Sequence, residues 1–495
     1  MLYLINFLKK EKPVQKIIFD SSIKLVAPIK PVLENEIKSH FTITNPDFLS
    51  IMKQRRLPKN KWPKGFVLTK NKIKGKWTTK KIPEFLFYWE YTGKSLSIPR
   101  GSFFDLKKIL TKLKIKYSIK NKRKTIPEIP FVFQQKLLKE KGQLSILDWS
   151  GNNGILESPT GSGKTGLFLY LAAKYKQPFC IVVDTKEGLN QWKREITKFL
   201  GIPEAQIGHI GSGIINIKNA TVALMQTLKN NPEVLKNFGI LGIDECHSAA
   251  VESYAKIILK YSGKYCFGLS ATPKRKDGKT NVMFWYIGPK RIVVPYEDAE
   301  RAPAVVTFVG TEFRTKTNLR RAYSTGLREL TEDKKRNKLI LKELLSHIDH
   351  YGIHLILSSS SKHLERLYSM LPHHYQLITR VFTGQYKGKE REEIVKIMHE
   401  DKIKFIFATE KLLGRAFDEQ RLSVLHLVTP IKDDVRLKQY IGRITRVPND
   451  LKVKKKKKLC LIFDYYDKYE SVLGAGASFR SKIYATLNIS KKIKR

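Results

Sequence analysis

The segment 158–165, SPTGSGKT, constrains this 495-residue chain more than any other. It follows a short apolar run, ILES at 155–158, that reads as a strand, and it opens a segment that reads as a helix. A glycine-rich turn in that context wraps backbone N–H groups around an anion at a helix N-terminus. Gly161 and Gly163 allow the close approach, and Thr160 and Ser162 complete the loop. Lys164 is placed to reach the β- and γ-phosphates of a nucleotide, and the Thr165 hydroxyl to bind Mg²⁺. The strict pattern begins with glycine, where this chain has Ser158.

The loop sits within an alternation of short apolar strands and amphipathic helices. FCIVVD (179–184), TVALM (221–225), FGILGID (238–244) and YCFGLSAT (265–272) read as buried strands. Leu189, Trp192, Ile196 and Phe199 recur at helical spacing before Gly201, a helix stop. HLILSS (354–359), FIFATE (405–410), VLHLVT (424–429) and LCLIFDYY (459–466) repeat the pattern. Alternation of this kind implies parallel sheets with ligands at the carboxyl ends of the strands. The expected boundaries are 1–125, a small basic accessory domain of α+β or mostly β type; 126–300, a first α/β lobe; 301–330, an irregular connector; and 331–495, a second α/β lobe.

ILGIDECH (240–247) ends a strand in two adjacent carboxylates. They point differently and divide labour: Asp244 for the Mg²⁺ shell, Glu245 for polarising an attacking water. His247 follows closely.

These motifs, in this order, resemble the superfamily-2 helicases of the DExH type. The resemblance implies two RecA-like lobes that close on ATP and Mg²⁺. VVDTKEGLNQW (182–192), ALMQTL (223–228), LSATP (269–273), ATEKLLGRAFD (408–418) and QYIGRITR (439–446) resemble the remaining motor motifs. By that resemblance His247, Ser270 and Thr272 couple hydrolysis to the track. Arg443 and Arg446 reach the γ-phosphate, Gln439 belongs to the same nucleotide motif, and Asp418 approaches the ribose. Thr185, Gln226, Thr227 and Thr409 are candidate nucleic-acid contacts. Motif V departs from the family pattern at Ala416, where a second glycine is usual. FVFQQKLL (131–138) looks like the adenine-side motif, with Gln134 or Gln135 reading the base edge. ATPKRKDGKT (271–280), IGPKR (287–291) and the tail positions Arg480 and Tyr484 resemble the branch that includes UvsW and XPB. FTITNPDF (41–48) and LSIPRGSFFDLKKIL (96–110) resemble the accessory domain of phage branch-migration helicases and, more distantly, the poxvirus transcript-release helicase.

Composition agrees with a polyanionic partner. There are 93 Lys and Arg against 45 Asp and Glu, a formal net charge of +48, and cations release counterions from a phosphate backbone. A hydrophobic content of 42% excludes wholesale disorder. Residues 52–81 interleave basic side chains with Trp62, Phe66 and Trp77, either a nucleic-acid face or a small basic β-domain with an aromatic core. Arg100 is a candidate phosphate contact. Five lysines at 454–458 read as a solvated hairpin tip, a contact to duplex arms or a nuclear-import patch. Four scattered cysteines without a CxxC pair suggest buried thiols rather than a metal site. No apolar run reaches a membrane span. The N-terminal MLYLINFL precedes its lysines, the reverse of a signal peptide, so an intracellular, cytosolic-type compartment (or a nucleus or virion) is expected.

The activity that the family resemblance implies is ATP-dependent, 3′-to-5′ DNA translocation on forked or branched DNA, in replication, recombination or repair. Recombination proteins are candidate partners, and the alternatives are a transcription-coupled helicase that works with a polymerase, a motor subunit of a larger nuclease complex, a motor acting on RNA, and a nucleic-acid clamp with a vestigial ATPase.

Overall fold

The computed structural model describes residues 14–55, 62–73, 76–137, 143–147, 151–158, 163–247, 251–271, 273, 275, 277–294, 301–382, 403–410, 419–447 and 451–494. The chain divides into two units, one drawn mainly from residues 1–293 and the other mainly from 294–495.

The first unit begins with a five-stranded sheet in the order Glu90–Thr92, Ser95–Pro99, Ser22–Val26, Gln15–Phe19, Tyr117–Asn121. Its pairs are antiparallel except the last, which is parallel. The helices Pro31–His40 and Phe103–Lys112 bury Leu33, Ile37, Leu106 and Leu110 against it. A separate antiparallel hairpin, Phe66–Ile73 with Lys76–Pro83, closes over Phe48, Met52, Val67 and Ile82. Trp62 packs on Phe48, so that part of the basic segment is core.

The same unit then builds an eight-stranded sheet, ordered Ile214–Asn216, Gly208–Gly211, Ala220–Leu224, Phe179–Val183, Ile240–Ile243, Tyr265–Ser270, Asn153–Glu157, Lys290–Val293. All neighbours are parallel except the first pair. Its central strands are apolar throughout, because helices cover both faces of a parallel sheet. The helix Lys186–Leu200 turns Leu189, Trp192 and Ile196 inward. It stops where Gly201 takes a left-handed φ of +68°, a conformation glycine adopts without steric cost.

The second unit is a seven-stranded parallel sheet, ordered Thr379–Phe382, Phe405–Thr409, Ile353–Ser358, Leu422–Leu427, Cys460–Asp467, Ala304–Thr311, Ser490–Lys494. This corrects the expected irregular connector. Ala304–Thr311 is a full strand, paired along its length with Cys460–Asp467. Its sequence, AVVTFVGT, alternates weakly, and the neighbouring Arg, Glu and Pro residues hide it. The lysine run is corrected too. Leu451–Lys456 is a helix, and Lys457 is buried to 4% exposure. All four cysteines are buried and unpaired. Among the described residues no helix is long and apolar enough to cross a membrane.

Candidate functional site

In the first α/β sheet the chemistry gathers at the carboxyl ends of the strands. Asn153–Glu157 and Tyr265–Ser270 lie side by side, with Glu157 opposite Ser270. The pairing continues one step, as Ser158 N–H donates to the Ser270 carbonyl at 3.0 Å. Gly163 holds a φ of +91° immediately before the helix Lys164–Tyr175. Thr160, Gly161 and Ser162 lie outside the described residues, as do Thr272 and Asp418.

Lys164 Nζ donates to Glu245 Oε1 at 2.9 Å. Glu245 Oε2 is 3.2 Å from His247 Nδ1, and that nitrogen is 2.9 Å from Ser270 Oγ. A continuous polar chain therefore runs from the phosphate-loop lysine, through the carboxylate, to the strand that opens the Ser-Ala-Thr element. Asp244 faces elsewhere. Its Oδ2 accepts from the Trp192 indole at 2.9 Å, and its Oδ1 from the Glu245 N–H at 2.9 Å. The two neighbours diverge because Glu245 sits at a φ of +44°, left-handed backbone that costs a non-glycine residue energy and clusters at functional sites.

The carboxyls are also tuned apart. Burial, with the Glu245 charge beside it, pushes Asp244 up to about 6, against the pull of Lys164 and the indole. Burial pushes Glu245 up as well, but Lys164 and His247 outweigh it and hold the carboxyl well below the usual range. Thr165 lies in the first helical turn beside Lys164. A hydroxyl and a carboxylate are hard oxygen donors of the kind Mg²⁺ prefers, so Thr165 and Asp244 fit that ion.

Several other candidates are placed less directly. Thr185 caps the helix Lys186–Leu200, accepting from Gly188 N–H at 3.1 Å. Gln226 and Thr227 begin the short helix Met225–Asn230, with Lys229 Nζ donating to Gln226 at 3.1 Å. The Gln134 N–H donates to the Phe199 carbonyl, and its side chain lies over Gly201. Phe133 stacks on Phe199, whose ring sits against Gly166 in the phosphate-loop helix. The segment thus packs beside that helix, while the Gln134 side chain itself is exposed.

Arg100 is a correction. It is fully buried and donates to the carbonyls of Tyr261 (3.0 Å), Gly263 (2.9 Å) and Lys264 (3.2 Å). A guanidinium spent on inward carbonyls is an internal anchor rather than a phosphate contact. Sequence alone offers no sign of this, because IPRG suits either use.

In the second unit Gln439 and Arg443 share one face of the helix Asp434–Ile444, four residues apart. Arg446 follows in an isolated bridge to Arg301, and all three side chains are half-buried. Thr409 ends the strand Phe405–Thr409 and is half-buried. Two supporting residues escaped the sequence reading. Arg275 Nη1 donates to the His247 carbonyl at 2.8 Å. Lys457 Nζ donates to the carbonyls of Arg446 (2.9 Å) and Gln420 (3.1 Å). Both looked like ordinary members of basic runs.

Two family models match the chain. One is the type III restriction enzyme res subunit, at residues 116–275, and the other the helicase conserved C-terminal domain, at 335–448. Together they take in more than half of it. A protein of Acanthamoeba polyphaga mimivirus, whose name proposes it as an ATP-dependent RNA helicase, is 28% identical over 310 residues. That match covers 60% of this chain and 58% of the relative, so the chain matches little more than half of that protein's length. The DNA 3′-5′ translocase XPB2 of Sulfurisphaera tokodaii is 27% identical over 332 residues, covering 64% of this chain and 70% of the relative. Among solved structures, S. cerevisiae Dbp5 bound to RNA and ADP BeF3 superposes with a TM-score of 0.54 at 13% identity, over 73% of this chain and 90% of that one. At that identity the likeness shows the fold alone: two RecA-like lobes.

Proposed function

The chain belongs to the superfamily-2 helicases, and from that membership we propose that it is an ATP-driven DNA translocase, moving 3′ to 5′ and remodelling forked or branched DNA. The observation that carries the reading is the polar chain Lys164–Glu245–His247–Ser270. Hydrolysis drives movement only if a change at the nucleotide is felt elsewhere, and this chain is a physical route for it. The name of the Sulfurisphaera relative supports the DNA track and its direction, and the net charge of +48 supports a polyanion.

The residues divide the work as follows. Lys164 leaves Glu245 to hold nucleotide phosphates. Thr165 and Asp244 would hold Mg²⁺, which when bound would stabilise the charge that develops on the phosphates. Glu245, released from the lysine, orients a water and takes its proton as the water oxygen bonds to the γ-phosphorus and the β–γ bridging bond breaks, releasing ADP and phosphate. His247 keeps hold of Glu245 and passes the change of charge to Ser270. Arg443 and Arg446 supply positive charge to the transition state, and Gln439 positions the nucleotide from the same helix face.

The test is steady-state ATP hydrolysis without nucleic acid and with single-stranded DNA, forked DNA or RNA, for the wild type and Lys164→Ala. DNA stimulation that is greatest on forks and lost in the variant supports the proposal. Stimulation by RNA alone moves the track to RNA. Indifference to every nucleic acid removes the motor reading.

A further inference from the structure

Resting on the nucleic-acid reading above, we propose that the odd-numbered aromatic side chains of segment 85–91 form a stacking platform for single-stranded nucleic acid. The segment is FLFYWEY, which comprises the strands Phe85–Phe87 and Glu90–Thr92 with two residues between. Side chains alternate along extended backbone. Tyr88 turns inward, its ring 5.5 Å from Trp285 and 6.3 Å from Tyr286 in the helix Thr280–Ile287. Phe85, Phe87 and Tyr91 turn outward and are 42%, 61% and 52% exposed. Trp89 stands between them, half-buried, its indole donating to Thr42 Oγ1 at 3.0 Å. Phe87, Trp89 and Tyr91 form a continuous row, with ring centroids 5.6 and 6.3 Å apart.

Single exposed aromatics need no explanation, but a contiguous row of them marks a binding surface. Its surroundings name the occupant. Lys38 Nζ lies 5.0 Å from the Trp89 ring and 4.9 Å from Tyr91. Lys81 Nζ lies 3.9 Å from the ring of Phe66 on the hairpin. Glu34, which accepts from Lys38 and from the Tyr91 hydroxyl, fixes both in place. Residues 1–125 carry 30 Lys and Arg against 8 Asp and Glu. Aromatic faces among cations are what an unpaired strand needs, since every base has a π-face and every phosphate a charge.

The platform is fixed to the first α/β sheet. Trp285 packs on Phe41 as well as Tyr88. Gly101 approaches the following turn so closely that a Cβ would lie 2.4 Å from Gly288 N. Arg100 holds the carbonyls just before the start of Tyr265–Ser270, the strand that carries Ser270 at its other end. A strand gripped by the platform therefore moves with the sheet that holds the nucleotide residues.

The experiment measures binding of fluorescent oligo-dT and oligo-U to the full chain by anisotropy. Phe87→Ala/Tyr91→Ala is compared with Phe104→Ala, an exposed aromatic of the same region outside the row. The double variant is expected to weaken binding about ten-fold or more, with Phe104→Ala equal to wild type. Oligonucleotide should also quench tryptophan emission, and Trp89→Phe should remove the quench. Loss for one oligonucleotide only identifies DNA or RNA as the ligand. A double variant that binds as wild type, or emission unchanged at saturation, overturns the platform and leaves the helicase reading standing. A wild type that binds neither oligonucleotide overturns both.

Discussion

The two α/β sheets treat charge in opposite ways. In the first, the Lys164–Glu245 pair sits at the strand ends with its side chains 13% and 29% exposed. In the second, Arg480–Asp464 and Arg336–Asp467 are sealed at 2% exposure or less. A sealed pair repays its lost hydration only when nearly every proton is placed. Arg480 meets that condition by donating twice to Asp464, at 2.8 and 2.6 Å, and once to the Ile431 carbonyl. The Tyr484 hydroxyl donates to the same carboxylate at 2.9 Å. This network staples the helix Ser471–Thr486 to the strand Cys460–Asp467. A pair partly open to water can instead exchange partners, as the role proposed for Lys164 requires. Partial exposure at a strand end thus suits the role proposed for Lys164–Glu245, and closure suits a structural one.

The contrast breaks if activity and stability do not separate along it. Arg446→Ala removes a half-buried cation while Lys457 still holds its main-chain carbonyl. Turnover with nucleic acid should fall about 10³-fold or more, with little change in thermal unfolding. Asp464→Ala leaves Arg480 buried without its partner, and should cost about 3–5 kcal/mol of stability in denaturant unfolding. Turnover per folded molecule should stay near wild type. An Arg446 variant that unfolds, or an Asp464 variant that is stable and inactive, would reverse the assignment of roles.

The same contrast explains what could be read from the sequence. Strand existence was legible wherever the run was apolar throughout, as in FCIVV and HLILS, because a strand covered on both faces carries no polar interruption. The strand Ala304–Thr311 was not, since its flanks look like a linker and its pairing partner lies more than 150 residues away. The placing of Lys164, Asp244 and Glu245 at the carboxyl ends of strands of one sheet was legible, because the motifs that hold them follow apolar strands. Arg100 and Lys457 were not, because composition does not distinguish an inward-turned cation from an outward one.

Lys457 sharpens the comparison, being a cation sealed in the second unit whose hydrogen bonds, among the described residues, go to main-chain carbonyls. Burial is the main cause that lowers its amine from the ordinary 10.5 to about 8. A depressed folded-state value means that the unfolded chain holds the proton more tightly. Its contribution is therefore intact above pH 10.5 and is lost as the pH falls toward 8. The difference amounts to about 3 kcal/mol across that window. Lys457→Met should remove this part of the stability slope between pH 8 and 10, read as the difference between variant and wild type in urea unfolding. An identical slope in both would show that the amine is hydrated in solution.

The smallest effect tests the open site itself. Trp192 is a core residue by its helical spacing and its 3% exposure, and its ring meets Phe168 at 5.7 Å. Its N–H also fixes Asp244. Trp192→Phe keeps most of the packing and deletes that one bond, a change of about 1 kcal/mol. If the indole orients a metal-holding carboxylate, the magnesium concentration for half-maximal hydrolysis should rise roughly five-fold, while the rate at saturating magnesium stays close to wild type. If the residue is packing alone, unfolding shifts and the magnesium dependence does not. The two outcomes decide whether the working carboxylate is held in place by the core beneath it or only by its strand.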